Sequence, residues 1–285
     1  MPCFDLTPHV SCIELRGGSR LDFLQRMSTG DLRGMQTGEG RYTVLTTPIG
    51  RMVDWLIVLA LDDALLLLGS AGAQAKTVRW LRKHIFFNDD VSVEAQSDVV
   101  VIGAFDVPRV RAQYGNALPE QPLRFAVMDN ALVMRAPEAL GVGYWLIGAP
   151  TLREQFALEE AEAWEAYRVQ HAYPAFPNEI SEEYLPLEAG LWGAISFSKG
   201  CYTGQEVLAR MESRGQIAKK LCALRAGEAL MRGDVLLHAG TPVGQVTSAV
   251  REVGLGYVRT PHCEVGAWLE TPQGARVTIT ALVRV

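Results

Sequence analysis

From residue 216 to residue 285, every apolar segment has the length and alternation of a short β-strand. Glycines interrupt these segments at intervals of about ten residues, the spacing expected for tight turns between short strands. Evenly spaced short strands without a helical pattern are typical of small barrels, in which closure removes the unpaired strand edges. We therefore expect residues 216–285 to form a C-terminal β-barrel domain.

The first half of the chain instead alternates strand and helix patterns. Apolar residues recur at helical spacing in residues 19–27 and 73–86, and Ser19 with Asp22 can cap the first of these helices. The segment YTVLTTPIGRMVDWLIVLAL indicates a hairpin around a P-I-G-R turn. This alternation favours an α+β body of mixed sheet and helices. We assign it residues 1–215, and two interleaved subdomains, about 1–90 and 91–215, are one form that it can take.

The second half of this body has a different pattern. From Thr151 the sequence predicts one long helix with glutamates towards solvent and aromatic residues towards the core. The passage that follows, residues 173–197, is punctuated by prolines and too irregular for regular secondary structure. Long ordered loops usually line a functional surface, so we expect this passage to border a site.

Composition and charge restrict the class of ligand. Hydrophobic residues make up 48% of the 285-residue chain and charged residues 21%, which is typical of a globular protein with a substantial core. The net charge of -5 argues against a phosphate-binding surface for nucleic acids, which requires clustered lysine and arginine. We expect no direct nucleic-acid partner.

The sequence also favours a cytoplasmic location. The longest apolar stretch, in residues 55–71, is interrupted by Asp62 and Asp63 before it reaches the length of a membrane span, and the N-terminus has no secretory signal pattern. The five cysteines are odd in number and form no CxxC motif, so neither a disulfide framework nor a zinc site is indicated. We expect a monomer in a reducing compartment, with no membrane contact and no metal.

The segment KGCYTGQE, residues 199–206, carries the most specific chemistry. Thr203 and Glu206 fit a capping box, which predicts a helix that begins near Gly204 and ends at Gly215. Cys201 would then lie before the positive end of this helix dipole and two residues from Lys199. Both influences favour the thiolate, so we expect Cys201 to be a reactive thiol with Lys199 as its electrostatic partner. The alternative is that Cys201 only fills space.

Two further residues are candidates with open alternatives. Asp54 lies inside an apolar strand, where a carboxylate is costly unless it faces a cleft or forms a buried ion pair, and both interpretations stay open. His171 lies in the same irregular passage that leads to Cys201 and can serve as an acid or base if it folds against the thiol. The sequence contains no Walker motif, no GxGxxG after a strand and no GxSxG elbow, so nucleotide-driven chemistry is disfavoured.

The segment SEEYLPLEAGLWGAISFSKGCYTGQEVLARM resembles the signature region of the YgfZ-type folate-binding proteins, relatives of the glycine-cleavage T-protein. Their K-G-C-[FY]-x-G-Q-E motif is matched at every position, and the likeness extends to residues 23–59 and to PVGQVTS near the C-terminus. The resemblance implies a pseudo-symmetric T-protein-like body with a central folate-sized opening and a small C-terminal barrel. It also implies tetrahydrofolate as ligand and a role in assembling or maintaining iron-sulfur clusters in client enzymes, including enzymes that modify tRNA.

The resemblance supports a set of site residues. Cys201 and Lys199 are the expected catalytic pair, and the expected cofactor-binding residues are Tyr42, Asp54, Tyr202 and Gln205.

Departures from the T-protein pattern disfavour aminomethyl transfer of the glycine-cleavage type. Trp55 and Trp145 stand where T-proteins have a working carboxylate and a pterin-binding glutamate. Ala172 replaces a glycine of the usual R-x-x-x-G-x-P pattern, and Gly30 stands where relatives often have asparagine.

Three hypotheses follow. The leading one is a folate-binding protein that supports iron-sulfur enzymes through Cys201. The second is a folate-dependent one-carbon transferase or demethylase that uses Asp54 as its carboxylate. The third is a scaffold with a vestigial pocket, in which Cys201 only packs.

Overall fold

The computed structural model describes residues 1–285 and divides the chain into two compact units, each built from separate segments. The first unit comprises Met1–Thr46, Val53–Trp164 and Gly193–Thr203, and the second comprises Thr47–Met52, Glu165–Trp192 and Gly204–Val285.

The first unit contains two five-stranded sheets. The strands are β1 (Cys3–Asp5), β2 (Val10–Arg16), β3 (Gly40–Thr46), β4 (Met52–Ala60), β5 (Ala64–Ser70), β6 (Ser92–Gln96), β7 (Val100–Ala104), β8 (Phe125–Met128), β9 (Ala131–Arg135) and β10 (Tyr144–Gly148). Strands of one sheet lie in the order β1-β7-β10-β9-β8, and those of the other in the order β3-β4-β5-β2-β6. Neighbouring strands run antiparallel, as where Val10 faces Ser70.

Three helices accompany these sheets, α1 (Arg20–Met27), α2 (Gln74–Lys83) and α3 (Val107–Tyr114). The apolar stripe of α1, with Phe23 and Leu24 fully buried, packs into the core of the second sheet together with Leu81 of α2. Every residue of β4 is buried, because this strand lies between two neighbours and is covered on both faces. The predicted helix patterns and the α+β class are thus confirmed.

The second unit contains the barrel. Its strands are β11 (Lys219–Ala226), β12 (Val235–His238), β13 (Thr241–Val250), β14 (Val253–Arg259), β15 (Trp268–Glu270) and β16 (Arg276–Leu282). The six strands close in the order β11-β14-β13-β12-β15-β16 around a core that includes Leu224, Val246 and Ile279. The alternation of buried and exposed residues explains the closure, since inward-facing side chains fill the small interior. The barrel predicted from the glycine spacing is therefore confirmed.

The long helix predicted from Thr151 is wrong. The chain forms a 3-10 helix over Pro150–Gln155, and the α-helix α4 (Ala161–Gln170) begins only afterwards. Phe156, expected on the face of that helix, is extended with φ -128° and ψ 143° and is buried against the first sheet. Tertiary packing of an aromatic residue here overrides the helical pattern of its neighbours.

The capping box is also wrong, although the helix position is right. Helix α5 (Gln205–Arg214) begins after Gly204, which adopts a left-handed φ of 84°, and no side chain caps the helix N-terminus. Glu206 pairs with Arg210 along the helix instead of reaching back. Because Gly204 already sets the turn, the Thr203 hydroxyl is not needed as a cap. Ser19 likewise makes no side-chain cap for α1.

The two compact units divide the chain differently from the predicted domains. The second unit includes α5 and residues 165–192 as well as the barrel, whereas the sequence analysis places those residues in the body. The boundary at residue 215 stays a prediction. No helix in the structure combines the length and the apolar character that a membrane crossing requires.

Candidate functional site

A cavity of about 750 Å³ lies within the first unit. This volume is within the range of sites that hold small organic ligands and cofactors. Its lining comes from four places in the chain, the start of the α1–β3 loop, the start of β3, Leu123 ahead of β8, and the irregular segment before Lys199. The lining residues are Gly30, Asp31, Gly40, Arg41, Tyr42, Leu123, Gly193, Ile195, Ser196, Phe197 and Ser198.

Tyr42 supplies an aromatic surface in this cavity. Its ring stacks on the indole of Trp55, with centroids 5.4 Å apart and planes inclined by 26°. Trp55 lies on the neighbouring strand β4 and is 7% exposed, so it supports the Tyr42 ring from the protein interior. Burial raises the pKa of the Tyr42 hydroxyl, which therefore stays protonated and able to donate a hydrogen bond. Trp55, which stands where the T-proteins have a working carboxylate, is thus the stacking partner of Tyr42.

Asp31 and its neighbours give the cavity charge. The Arg33 guanidinium donates to both carboxylate oxygens of Asp31, at 3.0 and 2.8 Å, and holds the pKa of that carboxyl well below its usual range. Arg41 Nη1 donates to the Asp31 carbonyl oxygen at 2.8 Å, which places a guanidinium beside the carboxylate. The cavity therefore offers one anionic acceptor, Asp31, and one cationic donor, Arg41, beside an aromatic ring. Neither Asp31 nor Arg41 is indicated by the sequence as a site residue, because isolated charged residues carry no motif.

Gly30 is required where it stands. A Cβ atom at this position would lie 2.5 Å from the Tyr42 carbonyl oxygen, well inside any allowed contact. The Gly30 amide donates to Thr43 Oγ1 at 2.8 Å. Any larger residue, asparagine included, would not fit this backbone, because the loop passes so close to β3 here.

The irregular segment forms another part of the lining, as the sequence analysis expected. Thr29 Oγ1 donates to the Ala194 carbonyl at 2.6 Å, and the Ser196 amide donates to the Thr29 carbonyl at 2.9 Å. Thr29 is fully buried, so these bonds are shielded from water. They fix the segment that supplies Ile195 and Ser198 to the cavity.

Lys199 and Cys201 have opposite surroundings. Lys199 is buried, at 5% exposure, and its ammonium donates to three backbone carbonyls, those of Gln25, Ser28 and Gly30. Cys201 is a free, exposed cysteine two residues later. All three ammonium protons of Lys199 are thus used by carbonyl oxygens. The hydrogen bonds of Lys199 indicate a structural role and not the predicted role as electrostatic partner of the thiol. The predicted accessibility of Cys201 agrees with the structure.

The two other predicted motif residues differ in setting. Tyr202 is buried, its ring lies 5.2 Å from the Lys199 ammonium, and its hydroxyl finds no hydrogen-bond partner within the protein. Gln205 is the first residue of α5 and belongs to the second unit. Neither residue lines the cavity of the first unit, so their contact with a cofactor stays a prediction.

Asp54 satisfies neither alternative of the sequence analysis. Its carboxylate has no solvent exposure and does not face the cavity, and it has no cationic partner among its hydrogen bonds. It accepts instead from Thr77 Oγ1 at 2.8 Å and from the amides of Trp55 at 2.9 Å and Ser70 at 3.2 Å. Burial raises its pKa to about 6 despite these bonds. The geometry is that of a group that ties α2 to two strands of the sheet.

His171 and Trp145 lie outside the cavity. His171 belongs to the second unit, where its ring stacks on Tyr167 and its Nδ1 lies 2.8 Å from the Tyr167 carbonyl. Trp145 lies in the middle of β10 and is 2% exposed. Its indole N–H has no hydrogen-bond partner in the protein.

Comparison with known proteins agrees with this architecture. The model of the GCVT N-terminal domain matches residues 3–112. A chloroplastic protein of Arabidopsis thaliana, whose name assigns it provisionally to the transferases, is 28% identical over 90% of this chain, which spans 65% of that relative's length. An aminomethyltransferase of Bacillus subtilis (strain 168) is 25% identical over 92% of this chain and 81% of its own length.

The crystal structure of the glycine cleavage system aminomethyltransferase T from Bartonella henselae shares the fold. The TM-score is 0.86 at 19% sequence identity, with 98% of this chain and 85% of that one covered. The predicted T-protein-like fold is therefore confirmed. The domain match and the relatives indicate similarity to the GcvT superfamily, the structural neighbour shows the fold, and the narrower YgfZ-type resemblance stays a prediction.

Proposed function

We propose that this protein binds tetrahydrofolate, or a close derivative, in the cavity of the first unit. The observation that carries the proposal is the Tyr42 ring, stacked on Trp55 and lining a cavity that also presents Asp31 and Arg41. The similarity to the GcvT superfamily adds to this proposal, since two relatives that are covered over most of their length are named aminomethyltransferases.

The cavity residues match the chemistry of a reduced folate. Its pterin is a small ring system with N–H donors on one edge, and it would find an apolar face at Tyr42 and Leu123. The Asp31 carboxylate, kept ionised by Arg33, is suited to accept from those donors. The Arg41 guanidinium is suited to the carbonyl or carboxylate oxygens of the same ligand. Bound tetrahydrofolate would supply nitrogen atoms that carry one-carbon units.

We further propose that the protein supports iron-sulfur clusters in client enzymes through Cys201. This finer role rests on the K-G-C-Y-T-G-Q-E segment and on the exposure of the thiol, which lies three residues beyond the cavity-lining Ser198. An exposed thiol is available to a partner protein or to a cluster, whereas the four other cysteines are buried. We propose the cytoplasm as its location, because a reducing compartment keeps such a thiol free.

The second candidate is a folate-dependent one-carbon transferase or demethylase. It is favoured by the aminomethyltransferase relatives, which cover most of the chain. The sequence pattern indicates Asp54 as the carboxylate of such an enzyme, but Asp54 is fully buried and does not line the cavity. Asp31 is the carboxylate that lines it. Formation of a one-carbon product from tetrahydrofolate and an N-methyl or aminomethyl donor would favour this candidate over the first.

Calorimetric titration with tetrahydrofolate tests the binding proposal. We expect saturable binding by the unchanged protein and at least tenfold weaker binding by Tyr42→Ala, because about 1.4 kcal/mol of stacking free energy corresponds to that factor. Tyr114→Ala is the matched control, since this half-buried tyrosine lies in α3 and does not line the cavity. Absence of binding by the unchanged protein would favour the scaffold hypothesis and end the proposal.

A separate experiment tests the role in iron-sulfur enzymes. Cells that lack this protein should lose activity in several cluster-dependent enzymes, and the intact gene should restore it. Normal activity of all those enzymes in the deletion strain would contradict the iron-sulfur role while leaving folate binding untouched.

A further inference from the structure

The ammonium of Lys199 occupies a small cage of backbone oxygens. Its Nζ lies 2.6 Å from the Gln25 carbonyl oxygen, 2.7 Å from that of Ser28 and 2.6 Å from that of Gly30. Three short charge-assisted bonds use all three protons of the group. The side chain is 5% exposed, so water does not compete for these bonds.

The cage exists because α1 ends there. The last carbonyls of a helix have no partner within it, and their partial negative charge favours a cation. The Thr29 amide, which could have closed another turn on the Gln25 carbonyl, donates to Val44 instead. Lys199 therefore supplies from a distant part of the sequence the donors that the end of α1 lacks.

This contact joins two parts of the cavity lining. Gly30 and Asp31 line the cavity from the α1 side, and Ser196, Phe197 and Ser198 line it from the segment that carries Lys199. The Lys199 amide also donates to Ser196 Oγ at 3.2 Å, so the lysine backbone belongs to the same ordered turn. The side chain thus ties one lining segment to the other from behind the cavity.

We propose that Lys199 is a positioning residue for the ligand cavity, in which its ammonium holds the Gly30–Asp31 segment against the Ser196–Ser198 segment and so sets ligand affinity. The proposal rests on tetrahydrofolate binding in this cavity. It replaces the thiol-activating role that the sequence pattern indicates for this lysine. Lys199 acts through Asp31 and Ser198 and does not itself line the cavity.

Deprotonation of Lys199 should make the order of the cavity lining depend on pH. Burial lowers the pKa of Lys199 to about 8, and of the two nearby charges Asp31 opposes this lowering while Arg33 adds to it. The only other group described against the ammonium is the Tyr202 ring, whose own pKa burial raises to about 12. A neutral amine has only two N–H donors for the three carbonyls, so one contact is lost on deprotonation. The cavity lining should therefore loosen as the pH rises through about 8.

The test compares ligand affinity across pH in matched variants. Tetrahydrofolate binding by the unchanged protein should weaken roughly tenfold between about pH 7 and about pH 9.5, while Lys199→Met should bind at least tenfold more weakly than the unchanged protein at pH 7 and show no such pH dependence. Lys83→Met is the control, because Lys83 is an exposed lysine at the end of α2. Cys201→Ala should keep the pH profile of the unchanged protein, which excludes the thiol as its source.

Amide hydrogen exchange supplies a readout that needs no ligand. In Lys199→Met the amides of Gly30 and Ser196 should exchange at least tenfold faster, after correction for intrinsic rates, while amides in the barrel stay protected. If Lys199→Met does not fold, the pH dependence of binding and of these two amides in the unchanged protein decides the matter.

The outcomes separate the two proposals. Unchanged affinity and unchanged protection in Lys199→Met would overturn the positioning role while tetrahydrofolate binding stands. A pH-independent affinity of the unchanged protein would overturn it as well. Absence of binding at every pH would instead overturn the proposed function, and faster exchange at Gly30 and Ser196 would still establish the structural tie.

Discussion

Arg168 and Glu179 form a buried ion pair in the second unit, with 3.2 Å between Arg168 Nη1 and Glu179 Oε2 and side-chain exposures of 2% and 0%. The glutamate also accepts from Ser248 Oγ at 2.7 Å, and its carbonyl accepts from the Tyr257 hydroxyl at 2.8 Å. Helix α4, the irregular passage and two barrel strands therefore meet at one glutamate residue. The network holds the passage that the sequence pattern could not assign to regular structure.

Replacing this glutamate should destabilise the fold strongly. Glu179→Ala removes the fully buried partner of Arg168 and leaves the buried guanidinium with only the part-exposed Glu165, and we expect a loss of about 3–5 kcal/mol in the free energy of unfolding. Glu165→Ala is the matched control, because Glu165 pairs with the same arginine but is 39% exposed, so its loss should cost about 1 kcal/mol or less. Urea denaturation of the three proteins measures both values. Equal losses of unfolding free energy in the two variants would contradict the larger contribution to stability that we expect from the buried pair.

Ala172 occupies a position that favours glycine. Its φ is 52°, in the left-handed region. The Tyr173 amide donates to the Arg168 carbonyl, and the Ala172 amide donates to that of Val169, which is the hydrogen-bond pattern of a Schellman cap at the end of α4. Ala172→Gly should therefore raise the free energy of unfolding by about 1 kcal/mol. Thermal or urea unfolding measures this difference.

Ala166→Gly, in the interior of the same helix, serves as the opposite-signed control. It should lower stability by about 1 kcal/mol, since glycine there gains no backbone relief and costs conformational entropy. The prediction for Ala172 is wrong if both glycine variants are destabilised alike.

Ala172 also shows what the sequence can and cannot reveal. Comparison with the R-x-x-x-G-x-P pattern of the YgfZ-type proteins singled out Ala172 correctly, because a left-handed residue at the end of a helix is usually glycine. Glycine spacing likewise predicted the barrel, and apolar periodicity predicted α1, α2 and α5. These features depend on local backbone preferences, which short segments of sequence record.

The functional geometry depended on contacts between distant residues and was harder to predict. Lys199 and Gln25 are separated by 174 positions, and no local pattern indicates that the ammonium binds that carbonyl. Asp54 was expected in a cleft or an ion pair, but neutral donors from Thr77 and two amides satisfy it. Tyr42 was found through family resemblance, and its support by Trp55 appeared only when β3 and β4 were paired.

Asp54 should make stability depend on pH with a defined sign. Its pKa rises from an ordinary value of 3.8 to about 6 in the folded protein, chiefly through burial. Between these values the folded state holds more protons at this site than the unfolded state, so this contribution to stability is full below about pH 4 and is lost as the pH rises through about 6. The total change is on the order of 3 kcal/mol.

Asp54→Asn removes this titration while keeping the shape of the side chain. The difference in unfolding free energy between the unchanged protein and the variant should therefore shift in favour of the variant as the pH rises from about 4 to about 7. Urea denaturation at several pH values measures it, with Asp22→Asn as the control at an exposed aspartate of α1. Parallel stability curves for the unchanged protein and Asp54→Asn would show that the buried carboxyl does not titrate in this window.

Cys201 should be dispensable for folding and necessary for biological activity. Its side chain is exposed, and substitutions at exposed positions away from special contacts usually change stability by about 0.5 kcal/mol or less. Cys201→Ala should therefore unfold like the unchanged protein and bind tetrahydrofolate with similar affinity, yet fail to restore cluster-dependent enzyme activities in cells that lack the protein. Cys12→Ala gives the contrasting pattern, because Cys12 is buried in β2, where loss of the sulfur leaves a small cavity and lowers stability. Full complementation by Cys201→Ala would refute the thiol role.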